Sequence, residues 1–350
     1  MKPLYLALGI GLLGGFSACK TSAPKPTTQA TAPEQVAEKD PSLTEEQAQA
    51  RSKRVANVSY DIHLKLAAKE KGYTGDVEIR FEHRGPAASP LRIDFQKGEV
   101  LSLTNQGRKV EYTSTREGIE LAPSSLNAGA NRVRITFRHE FSNDGLGFMK
   151  VVDPEDQNEF VYTNLEPYGA SRVIPCFDQP DLKARFRLEV EAPGKWEVIS
   201  TTREDRILNQ ASGNRVWSFP ESLSISTYVW SVHAGPFKVW EDKSSKTPLR
   251  LFARPALAKH VRPKDWFRYT RTGMRFYEHT FRTPYPFKKY DQIIVPEFSA
   301  GAMENAAAVT FNENYIKRSV PTIRDQRALA DTLLHELAHM WFGDLVTMRW

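Results

Sequence analysis

The stretch "TLLHELAHMW" (residues 332–341) places two histidines four apart with a glutamate directly after the first. Residues four apart share one helical face, so His335 and His339 can direct two imidazoles to a single metal ion. Glu336 sits one position round from His335, within reach of a metal-bound water without being a ligand itself. Zinc held by this H-E-x-x-H arrangement lowers the pKa of its water to about 7, and the glutamate takes the proton. Accident produces the five-residue pattern in roughly one chain of this length in a hundred, so the surroundings must decide. They predict a helix. Thr322 with Asp325 three residues on forms a capping box, Leu333, Leu334, Leu337 and Trp341 supply apolar anchors, and Gly343 suits the end.

Working outward, "GAMEN" (301–305) follows the short apolar run "QIIV" and precedes "AAVTFN", both of which read as strands. Gly301 and Ala302 leave room for a second backbone to approach, and Met303, Glu304 and Asn305 complete the motif. Before it, Phe267, Thr270, Met274, Tyr277 and Phe281 recur at spacings of three and four, marking an amphipathic helix that "TPYP" ends. Earlier still, the period shortens to two. Val58, Tyr60, Ile62, Leu64 and Leu66 alternate with polar neighbours, as do Val77, Ile79 and Phe81, Leu91, Ile93 and Phe95, Val133, Ile135 and Phe137, and Phe186, Leu188 and Val190. Short alternating runs without helical periodicity predict a β-rich, antiparallel-sheet domain over 53–240, followed by the start of an α+β domain over 241–350.

The 350 residues carry a net charge of +6, with 40% hydrophobic and 26% charged residues, which fits a soluble globular protein of more than one domain. The positive excess is scattered. Its densest cluster, "RSKR" at 51–54, reads as solvated surface, and no nucleic-acid partner is expected. Lys2 followed by an apolar run from Leu4 to Ala18 has the form of a signal peptide, too short to span a bilayer. The run ends in "FSAC", which resembles the lipobox of bacterial lipoproteins. Residues 1–19 are therefore expected to be a lipoprotein-type signal with Cys19 as the lipidated residue, giving a membrane anchor in the cell envelope; secretion without lipid is the alternative. Residues 20–52 lack the aromatic and branched side chains needed to bury a core and read as a disordered tether. With Cys19 lipidated, Cys176 has no disulfide partner and reads as a buried small hydrophobe. The histidines at 63, 83, 139, 233, 260 and 279 show no ligand spacing.

"GAMEN" and "HELAH", some thirty residues apart, together resemble the aminopeptidase N family of zinc metallopeptidases, whose catalytic domain is thermolysin-like. The segment "TNLEPYGASRVIPCFDQPDLKARF" (163–186) also resembles that family's passage from its N-terminal β domain to the active site. The resemblance covers residues 55 to 350. It implies zinc ligation by His335 and His339, Glu336 as general base, and Glu304 with Glu166 as the carboxylates that bind the α-ammonium of a peptide with a free N-terminus. It also implies that the Gly301–Asn305 backbone lies along the substrate like an added strand. Glu166 favours ordinary aminopeptidase action over that of the family's epoxide-hydrolysing relative.

The metzincin continuation would need glycine at 342 and histidine at 345, where this chain has Phe342 and Leu345. In the resembled family the third zinc ligand is a glutamate nineteen residues after the second histidine, which lies beyond Trp350. Asp331, one turn before His335, approaches along the helix and suits a tetrahedral site poorly. The sequence is thus expected to be the N-terminal portion of a longer aminopeptidase, with weak zinc binding and little turnover by itself. The alternative is an inactive, lipid-anchored module that captures peptide N-termini, against which the retained Glu336 speaks.

Overall fold

The computed structural model describes residues 43–85 and 89–350. The proposed signal, Cys19 and most of the proposed tether lie outside the described residues.

The alternating runs form strands whose apolar positions face inward: Tyr60, Ile62, Leu64, Val77, Ile79, Ile135 and Phe137 are all buried. Among the described residues the strands form four sheets. The largest has eight strands, ordered Arg206–Asn209, Asn214–Phe219, Arg185–Pro193, Val55–Lys65, Gly72–His83, Gly129–Glu140, Glu99–Asn105 and Arg108–Lys109. Its pairings are antiparallel except one: Val55–Lys65 runs parallel to Arg185–Pro193, with Ile62 opposite Leu188. That parallel pair needs a long crossover, and the 163–186 segment forms its last part and enters the second strand. A four-stranded sheet (Glu197–Ser200, Val232–Gly235, Glu159–Asn164, Gly147–Val152) and a three-stranded one (Leu91–Asp94, Gly118–Leu121, Tyr112–Ser114) complete the β-rich region.

A five-stranded sheet follows, ordered Lys238–Asp242, Leu249–Ala253, Tyr290–Val295, Ala308–Asn312 and Ala302–Met303. The boundary expected near residue 240 falls inside its first strand. The three central strands are parallel and buried on both faces, as continuous apolar runs such as "QIIV" require. Phe252, Ile293, Val295 and Ala308 join the core of the β-rich region, whereas Leu251, Ile294, Val309 and Phe311 face the helices. Each of the larger side chains removed from water contributes about 1.5–3 kcal/mol, and the sheet joins two cores.

Helices α2 (Pro263–Phe281) and α3 (Ile323–His339) cover the outer face. A Cβ at Gly273 of α2 would stand 2.3 Å from the Leu334 side chain, so glycine permits the close approach of the two helices. Tyr277 of α2 donates to the Leu334 carbonyl of α3 at 3.0 Å, and Trp341 donates to the Thr283 carbonyl at 3.1 Å. The Thr322–Asp325 capping box starts α3, with both reciprocal bonds present. Leu333, Glu336 and Leu337 form its buried side, leaving His335 exposed.

Two expectations are corrected at the N-terminal side. The last part of the predicted tether is a helix, α1 (Glu45–Arg54), started by a capping box between Thr44 and Gln47. The "RSKR" cluster is not wholly solvated either: Arg51 is buried, with Nη1 2.5 Å from Asp94 Oδ2 and Nε donating to Gln179 Oε1 at 2.9 Å. Composition concealed the helix because its anchor is a paired charge and not an apolar stripe.

Candidate active site

The site forms where α3, the strand Ala302–Met303 and the end of Glu159–Asn164 meet. On α3, the Nε2 atoms of His335 and His339 face each other at 3.1 Å. Two nitrogen ligands of a tetrahedral zinc, at Zn–N of about 2.0–2.1 Å, stand about 3.3 Å apart, so the pair fits that ion. His339 Nδ1 lies 2.8 Å from the Phe342 carbonyl. Donation there fixes the tautomer that leaves the Nε2 lone pair free. Among the described residues no group of three or more His, Cys, Asp or Glu is arranged to hold a metal, and Asp331 does not join the pair.

Glu336 turns from His335 into the protein. It is 5% exposed and its Oε2 has no hydrogen-bond partner among the described residues. Burial first, then the charges of Glu304 and Glu166, push its carboxyl up to about 8. Glu166 is exposed just past the strand Glu159–Asn164, and its carboxyl is raised by desolvation and by Glu304, with His339 opposing. Glu304 Oε1 stands 3.9 Å from His339 Nδ1. Three carboxylates thus act on one another across chain separations that no local pattern reveals. Such a wall favours a cation in front of it.

The "GAMEN" segment is a strand in part. Ala302 pairs with Phe311 and Met303 with Thr310, both antiparallel, and Asn312 donates its N–H to the Gly301 carbonyl at 2.9 Å. This strand ends its sheet, so its outer edge has no partner strand among the described residues. Gly301 lies under the Tyr315 hydroxyl, 3.0 Å from where a Cβ would stand. Met303 is buried. Asn305 takes a different place from the one expected: it is fully buried, and its Oδ1 accepts from Thr310 Oγ1 at 2.7 Å. Thr310 Oγ1 in turn lies 2.7 Å from Nε2 of His233, an imidazole held neutral by burial, with its pKa lowered to about 3. Asn305 therefore supports the strand from within the protein. Ala307, at φ +58°, ties the segment to α3 through its N–H, 3.4 Å from the Met340 sulfur.

Two contributors escaped sequence reading. Asp344 is fully buried with neither carboxylate oxygen bonded among the described residues, and burial together with Glu304 raises its carboxyl well above the usual range. Lys183, from the β-rich region, donates to the Asp344 and Leu345 carbonyls at 3.0 and 2.9 Å and so fastens the turn that carries the Phe342 carbonyl. An aspartate after glycine at a helix end reads as an ordinary turn residue. Cys176 is buried and free, as expected.

Residues 56–229 match the family model "Peptidase M1 N-terminal domain" and residues 267–350 match "Peptidase family M1 domain". The chain belongs to peptidase family M1. It is 38% identical over 316 residues to "Aminopeptidase N" of Streptomyces lividans, covering 88% of this chain and 36% of that protein. It is 31% identical to "Probable M1 family aminopeptidase 1" of Encephalitozoon cuniculi (85% of this chain, 36% of that protein). It is 30% identical to "Tricorn protease-interacting factor F2" of Thermoplasma acidophilum (83% and 36%). The chain spans about a third of the length of these curated relatives.

Proposed function

We propose that the protein to which this chain belongs is a zinc-dependent aminopeptidase that releases N-terminal residues from peptides. The observation carrying this reading is the wall of Glu166, Glu304 and Glu336 beside two imidazole nitrogens 3.1 Å apart. Zinc, held by His335, His339 and a further ligand, would supply the Lewis acidity that polarises the scissile carbonyl and acidifies water. The peptide's main chain pairs with the open edge of Ala302–Met303, which fixes its register. Glu304 and Glu166 hold the α-ammonium. An internal peptide or a blocked N-terminus leaves these acids without their cation, a penalty that confines cleavage to the chain end. Glu336 accepts the proton of the attacking water and returns one to the leaving amine. Its unpartnered oxygen and its raised pKa suit a group that must be both base and acid near neutrality.

The test compares alanyl and leucyl 4-nitroanilides with their N-acetylated forms, using protein expressed from its complete reading frame. Hydrolysis of the free amides alone, lost on chelation and restored by zinc, is expected. Equal cleavage of the acetylated forms, or indifference to chelation, would overturn the proposal.

The envelope location is part of the same proposal, supported by the run Leu4–Ala18 ending in "FSAC". Among the described residues no helix is long and apolar enough to cross a membrane. Cys19→Ala is expected to abolish palmitate labelling and to release the protein from the membrane fraction; persistence of both would refute lipidation.

A further inference from the structure

A cavity of about 360 Å³ opens beside Gly301, between the "GAMEN" segment and the first half of α3. Its walls include Ala300, Gly301, Asn312, Tyr315, Lys317 and Asp325. Asp325, Ala328, Thr332, His335 and His339 recur along α3 at spacings of three and four, so the wall of this cavity and the zinc-ligating histidines share one helical face. The edge strand runs beside that face. At one end Glu304 Oε1 stands 3.9 Å from His339. At the other the Tyr315 hydroxyl lies over Gly301 and bonds Thr332 Oγ1 at 2.8 Å. The cavity therefore continues the cleft away from the carboxylates that receive the amine.

We propose that this cavity receives the third residue of the peptide substrate and that Lys317 selects a carboxylate there. The inference rests on the aminopeptidase reading for the direction of the peptide. An extended chain advances about 3.3 Å per residue, so the third residue of a peptide whose amine meets Glu304 lies two steps, roughly 7 Å, along the edge strand, beside Ala302 and one position short of Gly301. Its side chain arrives at the cavity mouth. Lys317 is poised to meet it: among the described residues its Nζ makes only a 3.8 Å contact with Asp325 Oδ1, and its side chain is 41% exposed. The other Asp325 oxygen is taken by the helix cap, accepting from Thr322 N at 2.9 Å and Thr322 Oγ1 at 2.7 Å. The ammonium can thus swing to an incoming anion without leaving Asp325 unsatisfied. The carboxylate can be a glutamate side chain or the free terminus of a tripeptide, and a lysine in that place meets a like charge.

The experiment uses protein from the complete reading frame and the peptides Ala-Ala-Glu-amide, Ala-Ala-Lys-amide, Ala-Ala-Ala-amide and Ala-Ala-Ala with a free carboxylate. Each kcat/KM is divided by the same protein's value for alanine 4-nitroanilide, which stops short of the cavity. The glutamate peptide is expected to exceed the lysine peptide by roughly three- to tenfold, the scale of a partly exposed ion pair. The free tripeptide is expected to exceed its amide if the terminus is also read. Lys317→Glu is expected to invert the glutamate-to-lysine ratio, and Lys317→Met, which keeps the stem, to bring it near one. The same order is expected in peptide affinities measured by calorimetry on metal-stripped protein. Equal rates and affinities for the two charged peptides would overturn the proposal, as would a ratio unmoved by Lys317→Glu. Failure to cleave the nitroanilide would instead bring down the aminopeptidase reading on which it rests.

Discussion

Asp94 and Glu336 are both buried carboxylates, yet the fold treats them in opposite ways. Asp94, in the β-rich region, meets Arg51 at 2.5 Å, Arg92 Nε at 2.8 Å and the Asp178 N–H at 2.9 Å. Asp178 beside it accepts from Ser171 N and Thr227 Oγ1, each at 2.8 Å. Asp94 is paired with two guanidinium groups and Asp178 is hydrogen-bonded from within, and the result is a clasp that fastens α1 to the first domain. Around α3 the acids are left with oxygens unanswered among the described residues, at Glu336 and again at Asp344. A protein tolerates that cost where an outside cation or a moving proton supplies the missing partner. Two buried acids of one chain can thus be sorted into scaffold and chemistry by whether their partners are already present.

Exchange of the charge for its neutral isostere should break the comparison most widely at α3. Glu336→Gln is expected to lower nitroanilide turnover by about 10²–10⁴-fold, while thermal unfolding at pH 7 shows no loss of stability. A marked fall in melting temperature would place Glu336 with the scaffold acids. In the clasp the sign is reversed. Arg51→Ala leaves Asp94 with Arg92 and the Asp178 N–H alone and is expected to cost about 1.5–3 kcal/mol in urea unfolding, with Arg51→Met costing less.

Proton linkage sharpens the contrast. The folded carboxyl of Glu336 is raised from its ordinary 4.5 to about 8. The folded state therefore binds the proton more tightly than the unfolded chain. The stability this group contributes is fully present below about pH 4.5 and is lost as pH rises through 8. Asp344 acts in the same direction. The stability of metal-free protein, followed by its melting temperature between pH 5 and 9, is expected to fall by about 4 kcal/mol from Glu336 alone, and Glu336→Gln with Asp344→Asn to flatten the curve. An unchanged slope in the double variant would show that the acids of α3 are satisfied after all. Of the substitutions that lower stability, Gly273→Ala is expected to act least. Crowding against Leu334 and Leu337 costs about 1–3 kcal/mol, offset by about 1 kcal/mol of helix propensity. Because the crowded residues lie on α3, turnover should fall more than stability; the opposite order would separate the seat of α3 from the chemistry.

Much of this was legible along the chain. Strict alternation announced the strands of the β-rich region, since half-buried strands must repeat every two residues. The Thr322–Asp325 cap and the spacing of His335 and His339 announced α3. What stayed hidden depends on contacts between distant segments. Helix α1 is polar apart from Ala48 and Ala50 and is held by Arg51 reaching residues 43 and 128 positions away, which no window sees. Asn305 looked like a substrate residue because it shares a motif with Glu304, but it lies past the end of the edge strand and its side chain turns inward to Thr310. The convergence of Glu166 on Glu304 came from family resemblance alone. Lys317 and the cavity beside Gly301 left no trace in local pattern.

The edge strand at Ala302–Met303 is only two residues long. A ladder that brief offers a guest peptide enough main chain to settle its register. It also gives another copy of the protein too little to extend into a shared sheet, which is the usual hazard of an uncovered border. Brevity lets the molecule keep a sticky seam open to short visitors while staying resistant to its own aggregation.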